Sequence, residues 1–303
     1  MIHPHSWLRR AFAALACASS LGVAAPAWAY CRTAVCGEEV GKVCNPAQSN
    51  DCGTPIFWPT SCVGFSVQRD ASSDVDFDTA TELTEQAFAA WSNADCGDGT
   101  PSITATNLGP VSCSEQTFDA ETRNSNTIIF RDDDWPYGPG ALALTTVTYA
   151  LDTGEIRDAD IELNSDDATF TTGDSDVNVD LLSILTHETG HFLGLAHTDV
   201  DGATMQTDYP PKSTTLRNLE QDDVDAICAV YPPDREAACT PDPVNGLGDE
   251  CDEDPEGSES GCDCTSAGMP SDGLGGWLAV GMVTALAALS HVRRSRGRPR
   301  TLA

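Results

Sequence analysis

The stretch His187-Glu188-Thr189-Gly190-His191-Phe192-Leu193-Gly194-Leu195-Ala196-His197 constrains this chain more than any other. On an α-helix, residues four apart lie one above the other, so His187 and His191 reach one metal ion only if this stretch is helical. Glu188 then stands beside that ion. Gly194 allows the positive φ with which helices commonly end, and the chain can turn back there to deliver His197 as a third ligand. A fold that uses the motif must therefore contain a helix ending in a sharp reversal. Six histidines occur in 303 residues; His3 and His5 lie at the N-terminus and His291 beside a C-terminal basic cluster. The body of the chain places every histidine it has in this motif.

Three imidazoles and a neighbouring carboxylate are the donor set of a catalytic zinc site. Zinc held by three protein ligands keeps a water in its fourth position and lowers its pKa to about 7, whereas structural zinc is usually closed by four ligands, often cysteines. No cysteine lies near this stretch. Glu188 is the expected general base, taking a proton from that water and returning it to the leaving group.

Beyond the motif come Thr198, then Met205 eight residues after His197, then residues 218–231, which pattern as a last helix. On these features the chain resembles the metzincin metalloproteases and, within them, the matrixins, over roughly residues 61–232. The resemblance implies an α+β fold: a twisted mixed sheet, two long helices and a small C-terminal lobe after the zinc-binding helix. It also implies that Met205 is the Met-turn residue beneath the zinc. Residues 141–145 would form the edge strand to which a peptide substrate adds through main-chain hydrogen bonds, with Leu142, Ala143, Leu144 and Tyr209 at the substrate pocket. Thr207-Asp208-Tyr209 keeps the tyrosine of the family's Pro-x-Tyr pocket wall and lacks its proline. Matrixins carry a second, structural zinc on further histidines; this body has none to spare, so one zinc is expected. The implied activity is zinc-dependent endopeptidase action on extracellular proteins or peptides. The alternative is a non-catalytic surface adhesin or peptide-binding protein with the same shell, against which stands the retention of Glu188 and all three histidines.

The ends speak of export. Arg9 and Arg10, an apolar run over 11–25 and Ala27-Trp28-Ala29 read as a signal peptide over 1–29. Residues 30–60 are cysteine-rich and are either a stapled N-terminal extension or a short propeptide. Of thirteen cysteines, twelve follow the leader, and an even count in an exported chain reads as disulfides. Cys96 and Cys113 bracket one short loop, and Cys228 is expected to pair with a distant partner. After Pro232 the composition turns to Pro, Asp, Glu and Gly, an acidic linker over 233–260. Residues 273–292 carry no Asp, Glu, Lys or Arg and are followed by Arg293, Arg294, Arg296, Arg298 and Arg300, the pattern of a membrane-spanning helix with a cytoplasmic basic end. With Gly261-Cys262-Asp263-Cys264 ahead of it, the segment 261–303 is similar to the MYXO-CTERM sorting signal. That similarity implies processing by a sorting protease and display at the cell surface or outer envelope.

The formal charge is −31, and seven of the sixteen basic residues lie in the acid-free leader and tail, so the body is more acidic still. Nucleic acid is excluded as a partner on this ground. Asp132, Asp133, Asp134, Asp158, Asp160, Asp166, Asp167, Asp174 and Asp176 fall in or beside expected loops, where they either face solvent or supply oxygen ligands to Ca²⁺; the matrixin resemblance tips this towards calcium.

Local patterning fills in the domain. Residues 63–67 alternate as a strand, and Thr79-x-x-Glu82 reads as a capping box opening a helix with Leu83, Ala87, Phe88 and Trp91 on one face. Residues 127–130, 141–148 and 156–164 read as strands. Asp180 should cap the helix carrying the histidines. Asn218 with Gln221 should open the last helix, whose buried stripe is Val224, Ile227, Cys228 and Tyr231.

Overall fold

A computed structural model describes residues 32–34, 54–138, 140–250 and 278–283. The leader 1–29, most of 30–60, and the C-terminal segment apart from 278–283 lie outside the described residues.

The domain is α+β, as expected. Its sheet runs in the order β2-β1-β3-β5-β4, with β1 (Cys62–Val67), β2 (Thr104–Asn107), β3 (Thr127–Arg131) and β5 (Ile156–Asn164) parallel and β4 (Ala143–Ala150) antiparallel to β5. A short parallel pair, β6 (Phe170–Thr171) and β7 (Val179–Asp180), leads into the motif's helix. Among the described residues three α-helices complete the domain: α1 (Phe77–Ser92), α2 (Leu181–Phe192) and α3 (Gln221–Val230).

Helix α1 buries Ala80, Leu83, Thr84, Ala87, Phe88 and Trp91, an i, i+3, i+4 stripe that includes the four residues read from sequence. Its start differs from expectation. Asp76 is the N-cap, accepting from the Thr79 N–H at 3.0 Å and the Thr79 hydroxyl at 2.8 Å, so Thr79 sits inside the first turn. A carboxylate at the N-cap, three residues earlier and in extended backbone, reaches the orphan donors, whereas a threonine already held in helical geometry does not. Likewise α3 opens at Glu220, with Asp223 accepting from the Glu220 N–H at 2.9 Å, while Asn218 closes a preceding single 3-10 turn. Asp180 does cap α2, accepting from the Ser183 N–H at 2.9 Å. Its carboxylate is also held by Arg217, whose Nε donates at 2.7 Å.

Helices α1 and α2 pack together over one face of the sheet. Trp91 Nε1 on α1 donates to the Thr186 carbonyl on α2 at 2.8 Å, which fixes the two helices in register. Phe88 packs between Phe65 of β1, at 4.8 Å between ring centroids, and Phe192 of α2, at 5.0 Å.

Between described residues, the disulfides Cys62–Cys239 and Cys96–Cys228 tie distant parts of the chain. Cys228 thus has the distant partner expected of it. Cys96 and Cys113 do not close a loop on each other, because Cys96 is taken by Cys228 and Cys113 is bonded elsewhere. Closing loops this long limits the unfolded chain strongly, by about 5 kcal/mol each at most on the chain-entropy account.

The stretch read from composition as the start of a linker is folded onto the domain up to residue 250. Arg235 donates to the carbonyls of Trp58 at 2.9 Å, Thr60 at 2.6 Å and Ser102 at 3.1 Å, and lies 5.0 Å over the Tyr231 ring. Asn124 and Leu247 form a parallel bridge, and the Ser112 N–H donates to Asp249 at 2.6 Å. Charge-assisted hydrogen bonds and the Cys239 disulfide hold this polar stretch without an apolar core of its own, which is why composition alone missed it.

The described part of 273–292 is also not the helix expected there. Residues Leu278–Val283 form β8, paired antiparallel to β4 from Thr145 to Ala150. The free N–H and C=O groups of an edge strand favour such pairing, and a run of Leu, Val and Ala suits a strand as well as a helix. Among the described residues no helix is long and apolar enough to cross a membrane.

Candidate metal centre

Helix α2 is buried along nearly its whole length, with His187, Glu188 and His191 all fully covered. It ends in a Schellman reversal: the Gly194 N–H donates to the His191 carbonyl at 2.8 Å and the Leu195 N–H to Gly190 at 3.0 Å. Gly194 has φ 89°, as its place in the motif requires, and a Cβ there would lie 2.9 Å from the Ile56 carbonyl oxygen. The reversal carries His197 back over the helix.

The three imidazoles converge. Nε2 of His187 lies 3.0 Å from Nε2 of His197 and 3.1 Å from that of His191, and the His191 to His197 separation is 3.1 Å. Two nitrogens at about 2.0–2.1 Å from one tetrahedral ion would stand roughly 3.3 Å apart, so the rings need part by only a few tenths of an ångström to hold zinc. The far side of each helical ring fixes its tautomer. His187 Nδ1 lies 2.6 Å from the Thr204 carbonyl and His191 Nδ1 2.9 Å from the Leu195 carbonyl, so these nitrogens carry the protons and leave the Nε2 lone pairs for a cation. The Leu195 carbonyl also accepts from the Thr33 hydroxyl at 3.1 Å, which brings the N-terminal segment against this support.

Burial keeps the rings neutral. Desolvation, then the neighbouring rings, hold His187 and His191 well below the ordinary imidazole range, and desolvation brings His197 down to about 4. Among the described residues this is the one group of three or more potential ligand side chains close enough to share an ion. Three ligands of this kind leave a coordination position open, so the donor set fits a catalytic rather than a structural zinc.

Glu188 follows His187 and is equally buried. Desolvation pushes its carboxyl up to about 8, against a downward pull from the Thr145 hydroxyl, which donates to Oε2 at 2.6 Å. Its other oxygen, Oε1, is buried and has no hydrogen-bond partner.

Met205 packs against α2 at Gly190. A Cβ on Gly190 would fall 2.3 Å from Met205 Sδ and 2.8 Å from Trp91 Cζ2, so glycine at 190 is what lets the methionine in. Asp223 of α3 holds this turn, accepting from the N–H groups of Thr204 at 2.7 Å and Met205 at 3.1 Å. Gly190, Thr145, Thr204 and Asp223 were not singled out from sequence. Asp223 alone left a signal, lying three residues after Glu220 at a helix start.

Tyr209 lines a cavity of about 450 Å³ with Thr198–Asp201, Gln206–Asp208, Pro210 and Pro211; Leu142, Ala143 and Leu144 do not. The Tyr209 hydroxyl is occupied, accepting from the Asp180 N–H at 2.8 Å and donating to Ser213 at 2.7 Å. Strand alternation puts Ala143 and Thr145 towards α2 and Leu144 on the opposite face. The register of β8 begins at Thr145, leaving Ala143 and Leu144 outside it.

Of the acidic residues expected in or beside loops, Asp132, Asp133, Asp134, Asp166, Asp167, Asp174 and Asp176 lie in turns, bends or loops, and Asp158 and Asp160 do not. Asp158 and Asp160 are buried within β5, opposite Thr148 and Thr146. Asp132 accepts from the hydroxyls of Ser72 at 2.7 Å and Ser165 at 2.6 Å, and Asp174 is paired with Arg217 at 2.6 Å.

Residues 57–232 match the family described as Matrixin. The chain belongs to the matrixin family. It is 42% identical over 65 residues to human neutrophil collagenase, covering 22% of this chain and 14% of that protein. It is 35% identical over 92 residues to metalloendoproteinase 4-MMP of Arabidopsis thaliana, covering 30% and 26%. Mouse matrilysin is 32% identical over 100 residues, covering 33% and 36%. The chain thus spans well under half the length of these relatives.

Proposed function

We propose that this protein is an exported, surface-anchored zinc metalloendopeptidase that hydrolyses peptide bonds of extracellular proteins. The observation that carries the reading is the convergence of three neutral Nε2 atoms beside a buried carboxylate with one unpartnered oxygen. His187, His191 and His197 would hold the metal; bound there, zinc supplies a Lewis acid and lowers the pKa of a water at its open position. Glu188 Oε1 accepts the proton of the attacking water and returns it to the leaving amine. The Thr204 and Leu195 carbonyls keep His187 and His191 in the required tautomer. A peptide entering beside β4 would use the main chain near Ala143 and Leu144.

Export is supported by the leader pattern of 1–29 and by the disulfides, which persist in oxidising compartments. Anchoring rests on the apolar run 273–292 and its arginines, and would require Leu278–Val283 to leave β4. The test is a quenched-peptide assay on the folded chain with and without a chelator. Glu188→Gln should keep zinc and lose turnover by roughly 100- to 10,000-fold. Near-normal hydrolysis by that variant would refute the role given to Glu188.

A further inference from the structure

Strand alternation and register aim Thr145 at Glu188 of α2. It pairs with Ile161 in the interior of the β4–β5 ladder, and its side chain stands on the face that meets α2. Its hydroxyl lies 2.6 Å from Glu188 Oε2 and 3.2 Å from the Glu188 carbonyl oxygen. One O–H donates to one acceptor at a time, and the shorter contact, to Oε2, is the stronger. Both side chains are fully buried. A β-branched residue has few χ1 choices, so the hydroxyl is aimed by the strand itself.

The two carboxylate oxygens of Glu188 are consequently unlike. Oε2 is held by Thr145, and Oε1 is buried with no partner. A glutamate that has only to satisfy its own burial would engage both. We propose that Thr145 is a positioning residue, a hydroxyl on β4 that clamps Oε2 of Glu188 so that Oε1 is presented to the attacking water. This inference rests on the peptidase reading above. It ties the strand beside which a substrate would lie to the orientation of the base, so that both are set by the same backbone.

The test uses the full chain with Thr145→Val, which keeps shape and removes the hydroxyl, Thr145→Ser, which restores it, and Thr145→Ala should the valine variant not fold. The clamp predicts that valine or alanine lowers kcat roughly 10- to 100-fold, with KM and zinc content unchanged, and that serine recovers most of the loss. In a Glu188→Gln background the same change should lower kcat no further. A second readout needs neither metal nor activity. In the metal-free protein, the carboxyl C=O infrared band assigned by difference from Glu188→Gln should shift in Thr145→Val and return in Thr145→Ser. A wild-type kcat in Thr145→Val and Thr145→Ala, a loss confined to KM or zinc content, or an unmoved band overturns the clamp while leaving the peptidase reading intact. Absence of chelator-sensitive hydrolysis in the wild type overturns that reading and the positioning role with it, whatever the band shows.

Discussion

Replacing Gly190 with alanine should destabilise the domain, although alanine is the better helix former. In a helix interior the exchange is worth about 1 kcal/mol in alanine's favour. Against it, the new Cβ would stand 2.3 Å from Met205 Sδ and 2.8 Å from Trp91 Cζ2, closer than non-bonded carbon and sulfur tolerate. Neither neighbour moves easily. Met205 is held through its N–H by Asp223 at 3.1 Å and through its carbonyl by the Thr198 N–H at 3.0 Å, and Trp91 is tied to Thr186. Overpacking of this kind costs about 1–3 kcal/mol, so the net loss should reach about 2 kcal/mol, or roughly 4–8 °C in Tm for a domain of this size. Thermal unfolding followed by circular dichroism, with chelator present so that metal binding does not contribute, reads the change. Repeating the exchange in a Met205→Ala background removes the nearer clash, and the two substitutions should couple by at least about 1 kcal/mol. A Gly190→Ala protein that gains the full helix-propensity increment, equally in both backgrounds, would refute the packing account of this glycine.

Stability should also depend on pH through β5. Burial, then the charge of Asp160, raises Asp158 well above the ordinary carboxyl range; burial raises Asp160 to about 8, and only a shared proton makes their contact a hydrogen bond. Groups raised on folding contribute stability that is full below the ordinary value near 4 and is lost as pH rises through the folded one. Tm should therefore fall between about pH 4 and pH 8, and Asp160→Asn should flatten that fall; an unchanged profile in the variant would exclude the pair as its source. Replacing Cys96 and Cys228 together by serine should lower stability by about 2–5 kcal/mol in chemical denaturation, and a loss below 1 kcal/mol would show that the unfolded chain does not feel this cross-link.

The metal centre was legible because its parts are local. His187 and His191 share a helix face, Gly194 marks the reversal and Asp180 marks the start, all within a short span where spacing maps directly onto geometry. The α+β order and the limits of β5 followed from hydrophobic runs in the same way. What sequence did not show depends on contacts between distant positions. Thr145 meets Glu188 across 43 residues, and Asp223 meets Thr204 across 19. Asp158 and Asp160 looked like surface acids because composition counts charge and not the face on which a strand places it. Residues 233–250 looked like a linker because hydrogen bonds to backbone carbonyls and a disulfide leave no hydrophobic pattern to read.

The central claim, that three imidazoles hold a single zinc on which hydrolysis depends, is tested most directly by titrating the chelated protein with zinc while following cleavage of a quenched peptide. Activity should be absent at the start, rise linearly and saturate at one equivalent. Hydrolysis that persists without metal, or that never appears on adding it, would contradict the account.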